Sequence, residues 1–287
     1  MSQATSQVPP AAAPGALAAA PAPPRRPRWL VVRGDLARRE YWALAVVGLV
    51  VPLALWWGLS ASGITTKTFM PGPADVWKRT LLWFTQDELL ADTWISIYRV
   101  TAGWLLSALI ALPLGVWIGA YRPVQALLEP LTDFIRYMPA VAFIPLVMLW
   151  VGIGESSKIA IIWIGTFFQM VLMFAEDVRR VPMTQIEAAQ TMGATRGEIV
   201  NRVLIPSAKP ALVDTLRVTM GWAWTYLVVA ELVAANSGLG YAILKAQRFL
   251  QTDKIFAGII IIGLIGLILD QLFRAVHRAA FPWLHRR

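Results

Sequence analysis

Hydrophobic residues in this chain do not alternate with polar ones over short distances. They gather in six long runs separated by charged or turn-forming segments: roughly Tyr41–Leu59, Ile95–Ala120, Leu131–Val151, Ile159–Phe174, Ala211–Leu232 and Ile255–Val276. About 20 apolar residues in a helix cross the ~30 Å hydrocarbon core of a bilayer, so each run predicts a membrane-spanning helix. The fourth run is the shortest and either extends through Ser156 and Ser157 or lies tilted among its neighbours. Pro71–Phe84 instead mixes apolar and polar positions at helical spacing, which predicts a helix lying in the membrane interface. The pattern as a whole predicts an all-α, polytopic membrane protein of six transmembrane helices. No repeat of fixed period divides it into halves, so a single transmembrane domain over residues 41–283 is the economical organisation.

Composition narrows the chemistry. Of 287 residues, 57% are hydrophobic and 15% charged, where a soluble domain runs near 45–50% and about 25%. The absence of cysteine excludes disulfides, zinc–thiolate sites and cysteine nucleophiles. His277 and His285 stand in an Arg-rich tail without a carboxylate cluster, so no metal site is expected. The Ala/Pro-rich stretch Met1–Arg28 is short of bulky apolar residues, and with the arginines that follow it predicts a disordered basic segment over 1–40. It does not resemble a secretory signal, because its alanine run precedes the charges. Residues 284–287 form a basic C-terminal tail.

The net charge of +9 does not point to nucleic acid, because the basic residues lie between the apolar runs rather than on one polar face. They encode topology instead. With the amino terminus inside, sixteen Lys and Arg fall in cytoplasmic segments, seven in outer segments, and Arg99, Arg136 and Arg217 within the runs. Both termini are predicted to be cytoplasmic.

The most informative segment is the cytoplasmic loop over 175–209. Thr184 with Glu187, and Thr195 with Glu198, have Thr-x-x-Glu capping-box spacing, and each predicts the start of a short helix. Gly193 suits the left-handed turn that ends the first helix, and Pro206 is expected to stop the second. The loop therefore reads as a helix–turn–helix outside the membrane. Ala188 and Ala189, beside Ile186 and Met192, make a small face that either receives another protein's backbone or packs on the chain's own span ends.

Glu187-Ala188-Ala189, three residues, Gly193, nine residues, then Val203-Leu204-Ile205-Pro206 resembles the EAA signature of ABC importer permeases, Glu-Ala-Ala-x3-Gly-x9-Ile-x-Leu-Pro. Val203 and Ile205 are conservative departures. Pro71-Gly72-Pro73, the segment Thr93 to Arg99 with Gly103, the segment Arg136 to Pro145, Gly238-Leu239-Gly240 and Pro282-Trp283 are similar to the nitrate/sulfonate/taurine (bicarbonate) branch. The resemblance implies a type I importer permease fold and a permease that works as a homodimer. Its implied partners are two ABC ATPase subunits, which bind ATP and Mg, and an extracytoplasmic substrate-binding protein. It implies that Glu187, Ala188, Ala189, Gly193 and Pro206 couple the permease to the ATPase. No cofactor is expected in this chain, which has no Gly-x4-Gly-Lys-Ser/Thr phosphate loop. The substrate class implied is a small anion such as nitrate, taurine or another sulfonate.

Charged residues within a bilayer are functional candidates by default. Pro139 and Pro145 interrupt the third run, and a broken backbone is tolerated in protein or against water but not against lipid. Arg217, Gly221 and Thr225 recur at i, i+4 and i+8 and share a helical face. Arg136, Pro139, Phe143 and that face are therefore expected to line a translocation pathway; simple packing is the alternative. Gly115 and Gly119 predict close helix packing, and Asp270 a pairing with a neighbouring donor. No nucleophile–base constellation stands out, so the chain is not expected to be an enzyme. The rival reading is a secondary carrier or channel acting without an ATPase.

Overall fold

The computed structural model describes residues 36–284. The disorder expected of the amino-terminal head, as far as residue 35, and all of the basic tail except Leu284 lie outside the described residues. The structure divides into two units, Met1–Leu53 and Ala54–Arg287. The first contributes most of α1 (Arg38–Ala61), an apolar helix none of whose side chains is buried. The second holds every other element.

That second unit is all helix and turn among the described residues. After α1 come α2 (Pro73–Thr85), α3 (Leu89–Ala120) and α4 (Arg122–Arg136), then a 3-10 turn over Ala140–Phe143 and α5 (Ile144–Val151). There follow α6 (Glu155–Arg179), α7 (Met183–Thr191), the single turn α8 (Arg196–Glu198), a π-helical segment Ile199–Leu204 and α9 (Ile205–Ala234). The chain ends in α10 (Leu239–Arg248), α11 (Thr252–Ala280) and a 3-10 turn over Pro282–Leu284. The expected interfacial segment is the amphipathic α2, which buries Val76 and Trp83.

Among the described residues, four helices are long and apolar enough to cross a membrane: α1, α3, α6 and α11. The third expected span is not one rod. Its chain turns through 87° between α4 and the stretch Ala140–Val151, and the two pieces count as a fifth crossing only if taken together. Pro139 opens the second piece, and its ring leaves no amide hydrogen to continue the helix. The fifth expected span lies in α9, 30 residues long but carrying Lys209, Asp214, Arg217 and Glu231, and it is not among those four. The apolar pattern does not anticipate α10, because its Lys245 and Arg248 read as loop.

The core is a bundle of α3, α6 and α9. Gly103, Gly115 and Gly119 let α3 approach α6 closely: a Cβ built on Gly115 would stand 2.5 Å from the Cβ of Phe174. Between the helices run polar contacts at successive levels. Ser107 and Thr166 share a 2.7 Å hydrogen bond, Trp104 donates to Thr219 at 3.2 Å, and Thr215 donates to Asp177 at 2.6 Å.

One end of the bundle is closed by charge. Arg99 on α3 has no exposed side-chain surface. Its Nε and Nη2 donate to the two oxygens of Glu155 at 2.6 and 2.8 Å, and its Nη1 donates to Glu231 and to the carbonyl of Ser237, both at 2.7 Å. Glu231 is itself buried and accepts from the Ser96 hydroxyl and the Gly240 amide. Lys158 adds a 2.7 Å contact to Glu155. α3, α6, α9 and the start of α10 meet at this point.

Replacing Gly115 with Val should cost about 1–3 kcal/mol, because the new methyls meet α6. In detergent the variant is expected to melt at a lower temperature than wild type. Gly58→Val, where a Cβ meets nothing within 4 Å, should leave the melting temperature in place. Equal melting of the two variants would contradict the packing described.

Candidate functional site

The loop over 175–209 is a hairpin of α7 and α8, as expected, but its ends differ from expectation. α7 begins at Met183 with Pro182 in the capping position, and no side chain caps it. Thr184 thus lies inside the helix, where its hydroxyl cannot act as the cap, and the box with Glu187 does not form. The box of Thr195 and Glu198 does form: the Thr195 amide donates to Glu198 at 3.0 Å, and the Glu198 amide donates to the Thr195 hydroxyl at 3.4 Å. Pro206 does not stop the second helix. The chain runs from α8 through the π-helical segment into α9, and Pro206 occupies the first turn of α9, where a missing amide hydrogen costs no bond.

Gly193 has φ +80° and makes the turn. Its amide bonds the Gln190 carbonyl at 2.9 Å, and the Ala194 amide bonds the Ala189 carbonyl at 3.0 Å, the paired pattern of a Schellman helix end. Of the expected coupling residues, Glu187, Ala188 and Gly193 are exposed, whereas Ala189 is buried in the chain's own core with Ile199, Val200 and Leu204. The Ser207 hydroxyl donates to Gln185 at 2.8 Å and ties α7 to α9. Beneath α7 lies a cavity of about 680 Å³ lined by Met183, Ile186 and Gln190 together with Arg122, Arg179 and Arg196.

A second cavity, of about 390 Å³, lies where the third expected span breaks. Arg136, Phe143 and Thr225 line it, joined by Gln169, Trp222 and Tyr226. Pro139 is not in the lining, although Met138 and Ala140 on its two sides are. Nor are Arg217 and Gly221. Arg217 pairs with Asp214 and Asp270 at 3.5 and 3.4 Å, and Asp270 also holds Arg274 at 2.7 Å. Gly221 sits on an open side of α9 with nothing within 4 Å of where a Cβ would lie. The shared face of Arg217, Gly221 and Thr225 therefore serves two surroundings, α11 at one end and the cavity at the other.

Residues 111–281 match the family described as "Binding-protein-dependent transport system inner membrane component". The chain belongs to this family. It is 35% identical over 250 residues to a Brucella abortus (strain 2308) protein named "Probable ABC transporter permease protein", covering 87% of this chain and 99% of that one. It is 33% identical over 264 residues to the taurine transport system permease protein TauC of Escherichia coli (strain K12), covering 90% and 94%. Among solved structures, the MetNI methionine ABC transporter in an inward-facing conformation matches with a TM-score of 0.57 and 25% identity, over 66% of this chain and 95% of that one. This chain is accordingly an ABC importer permease, an integral inner-membrane protein whose relatives are permease subunits.

Within this inner-membrane component, the exposed hairpin carries a titratable cap. The Thr195 amide and hydroxyl, with Arg202 nearby, hold the Glu198 carboxyl below its ordinary value. A depressed folded-state pKa means the cap's stabilisation is present above the ordinary Glu range, near 4.3, and is lost as pH falls through the lower folded value. Amide hydrogen exchange over residues 195–199, corrected for intrinsic rates, should therefore accelerate at acid pH. Glu198→Gln should flatten that dependence; an unchanged pH profile in the variant would remove the cap as its cause.

Proposed function

We propose that this permease forms, as a homodimer, the pathway of an ATP-driven importer for a small anion. In this reading two ABC ATPase subunits bind ATP and Mg, and an extracytoplasmic binding protein delivers the substrate. Relatives such as the taurine permease support an anion of the nitrate, taurine or sulfonate kind. Both termini and the α7 hairpin face the cytoplasm, in keeping with the sixteen inner and seven outer basic residues. The α9 helix crosses with the bundle, its Arg217 and Glu231 paired with protein groups rather than facing lipid.

The observation that carries the coupling role is the α7 hairpin. It presents Glu187 and Ala188 outward, ends in a left-handed glycine turn, and is bonded to α9 through Gln185 and Ser207. Closure of the ATPase pushes on that face, and the push passes through α9 into the α3–α6–α9 bundle, which moves as one body from α7 to the Arg99 cluster. Pathway-lining roles fall to Arg136, Phe143 and Thr225 at the cavity, with Pro139 setting the bend beside it, Arg217 tying α9 to α11, and Gly221 leaving the open side of α9 free of a side chain. A carrier or channel acting alone gives this exposed hairpin nothing to do.

Gly193→Val places a β-branched residue in left-handed geometry at a cost of roughly 1–2 kcal/mol. At matched membrane abundance it should lower ATPase co-purification and taurine uptake about fivefold or more. Ala188→Trp, on the exposed face, should do the same without disturbing the core. Glu187→Ala should do less, since its carboxylate makes no capping bond. Normal uptake in the combined Gly193→Val and Ala188→Trp variant would refute the coupling role. A cysteine at Thr195, in a chain with none of its own, should react with an impermeant thiol reagent only from the cytoplasmic side.

A further inference from the structure

The cavity beneath α7 is basic, and neither substrate passage nor a coupling role for the hairpin accounts for that. Three of its lining residues are arginines and none is acidic. Arg179 is partly engaged: its Nη1 holds Glu129 and its Nε holds Glu176, which leaves Nη2 with no acceptor among the described residues. The exposed side chains of Arg122 and Arg196 make no ion pair or hydrogen bond among the described residues. A neighbouring groove that Arg122 also borders does hold Glu129 and Asp133, but Arg179 and Arg136 take up those carboxylates. The side-chain amides of Gln125 and Gln190 add further donors to the lining.

The rest of the lining is largely apolar. Val178 and Val181 at the end of α6, Ile186 on α7, and Val200 and Leu204 contribute to it. The last two belong to the π-helical segment Ile199–Leu204, and such wide turns are rare and occur mostly at functional sites. The ends of two membrane-spanning helices fix the level of the cavity. α3 stops at Ala120 and α6 at Arg179, and both residues line it. Trp117 is exposed one turn before Tyr121, which lines the cavity as well. Trp, Tyr and Arg gathered at the end of an apolar helix mark the level of the lipid headgroups. The anion abundant at that level is the phosphate diester of a phospholipid.

We propose that this cavity binds the headgroup of an anionic phospholipid of the inner leaflet. Arg122, Arg196 and the remaining nitrogen of Arg179 hold the phosphate, Gln125 and Gln190 donate to the headgroup, and the glycerol and first acyl carbons lie on the apolar wall. A zwitterionic headgroup brings its own cation into an arginine-lined space and is disfavoured. A lipid seated there bridges α4, α6 and α7, and so braces the hairpin against the inner ends of α3 and α6. The site goes beyond the transport reading and involves no substrate; only its leaflet rests on the cytoplasmic placement of the hairpin given above.

The test is a lipid titration of the delipidated full-length permease in uncharged detergent, with bound lipid counted by native mass spectrometry. The probes are phosphatidylglycerol, phosphatidylcholine with the same acyl chains, and soluble glycerol 3-phosphate. Phosphatidylglycerol should bind more tightly than phosphatidylcholine by about tenfold or more. Glycerol 3-phosphate, at concentrations where the lipid saturates, should not displace it. Arg122→Gln and Arg196→Gln should each weaken phosphatidylglycerol binding about fivefold. Lys209→Gln removes an exposed charge near the start of α9, outside the cavity lining, and should leave binding in place. Each variant is compared at unchanged melting temperature. Gln190→Glu, which puts a carboxylate into the lining at the same size, decides the matter should an arginine variant unfold. Equal binding of the two lipids, displacement by glycerol 3-phosphate, undiminished binding in the folded variants, or an equal loss in Lys209→Gln would overturn the proposal. Labelling of the Thr195 cysteine from outside would overturn the topology and the inner leaflet while the lipid selectivity stands. Loss of that selectivity, with labelling confined to the cytoplasmic side, overturns the site alone.

Discussion

A guanidinium with no exposed surface must find acceptors for all five of its N–H groups, and that requirement organises one end of this molecule. Arg99 meets it with Glu155, Glu231 and Ser237. These acceptors come from α6, from α9 and from the turn before α10, so the three bundle helices cannot separate there without stranding a buried charge. Breaking one side of such a pair costs about 3–5 kcal/mol. The rest of the bundle adds directional contacts below this point: the Ser107–Thr166, Trp104–Thr219 and Asp177–Thr215 hydrogen bonds lie at successive depths. Close packing of α3 on α6 through glycines leaves no slack between those levels.

At the opposite end the bundle carries the α7 hairpin. α9 is continuous with the π-helical segment and α8, so the hairpin is an extension of a bundle helix rather than a loose loop. Ala189 is seated in the core while Ala188 and Glu187 remain outside. The two adjacent alanines therefore differ in what they do. Ala189 fixes the hairpin to its own chain, and Ala188 stays exposed on its outer face. The cavity lies beside the bundle where α4 and α5 part, so displacement of the bundle changes its walls directly.

Much of this was legible in the amino-acid order, and the failures have physical causes. Long apolar runs predict helices because a helix satisfies every backbone group within its own segment and needs about 20 residues to cross lipid, and α1, α3, α6 and α11 lie on those runs. The Thr195–Glu198 box marked the start of α8, and Gly193 the turn before it. The Thr184 box failed because Pro182 sets the start of α7 two residues earlier. Pro206 misled because a proline ends a helix only when it needs a bond that the first turn does not make. Arg99 was visible as a charge in a span, but its partner Glu231 lies 132 residues further on, a pairing no local pattern reveals. Gln169 was missed for the same reason. A lone glutamine in an apolar run gains meaning only when the bend at Pro139 brings Arg136 to the same cavity.

The proposed motion of each copy in a permease homodimer as one body, from the hairpin to the Arg99 cluster, can be measured directly. Spin labels at Leu90→Cys and Met192→Cys, both exposed positions, report the length of the bundle in an assembled transporter carrying one labelled copy. The distance between them should be the same in the nucleotide-free and ATP-bound states, while a Met192 label on each copy should report a change between copies. A change in the intrachain distance on ATP binding would contradict a rigid bundle and, with it, transmission of the push through α9.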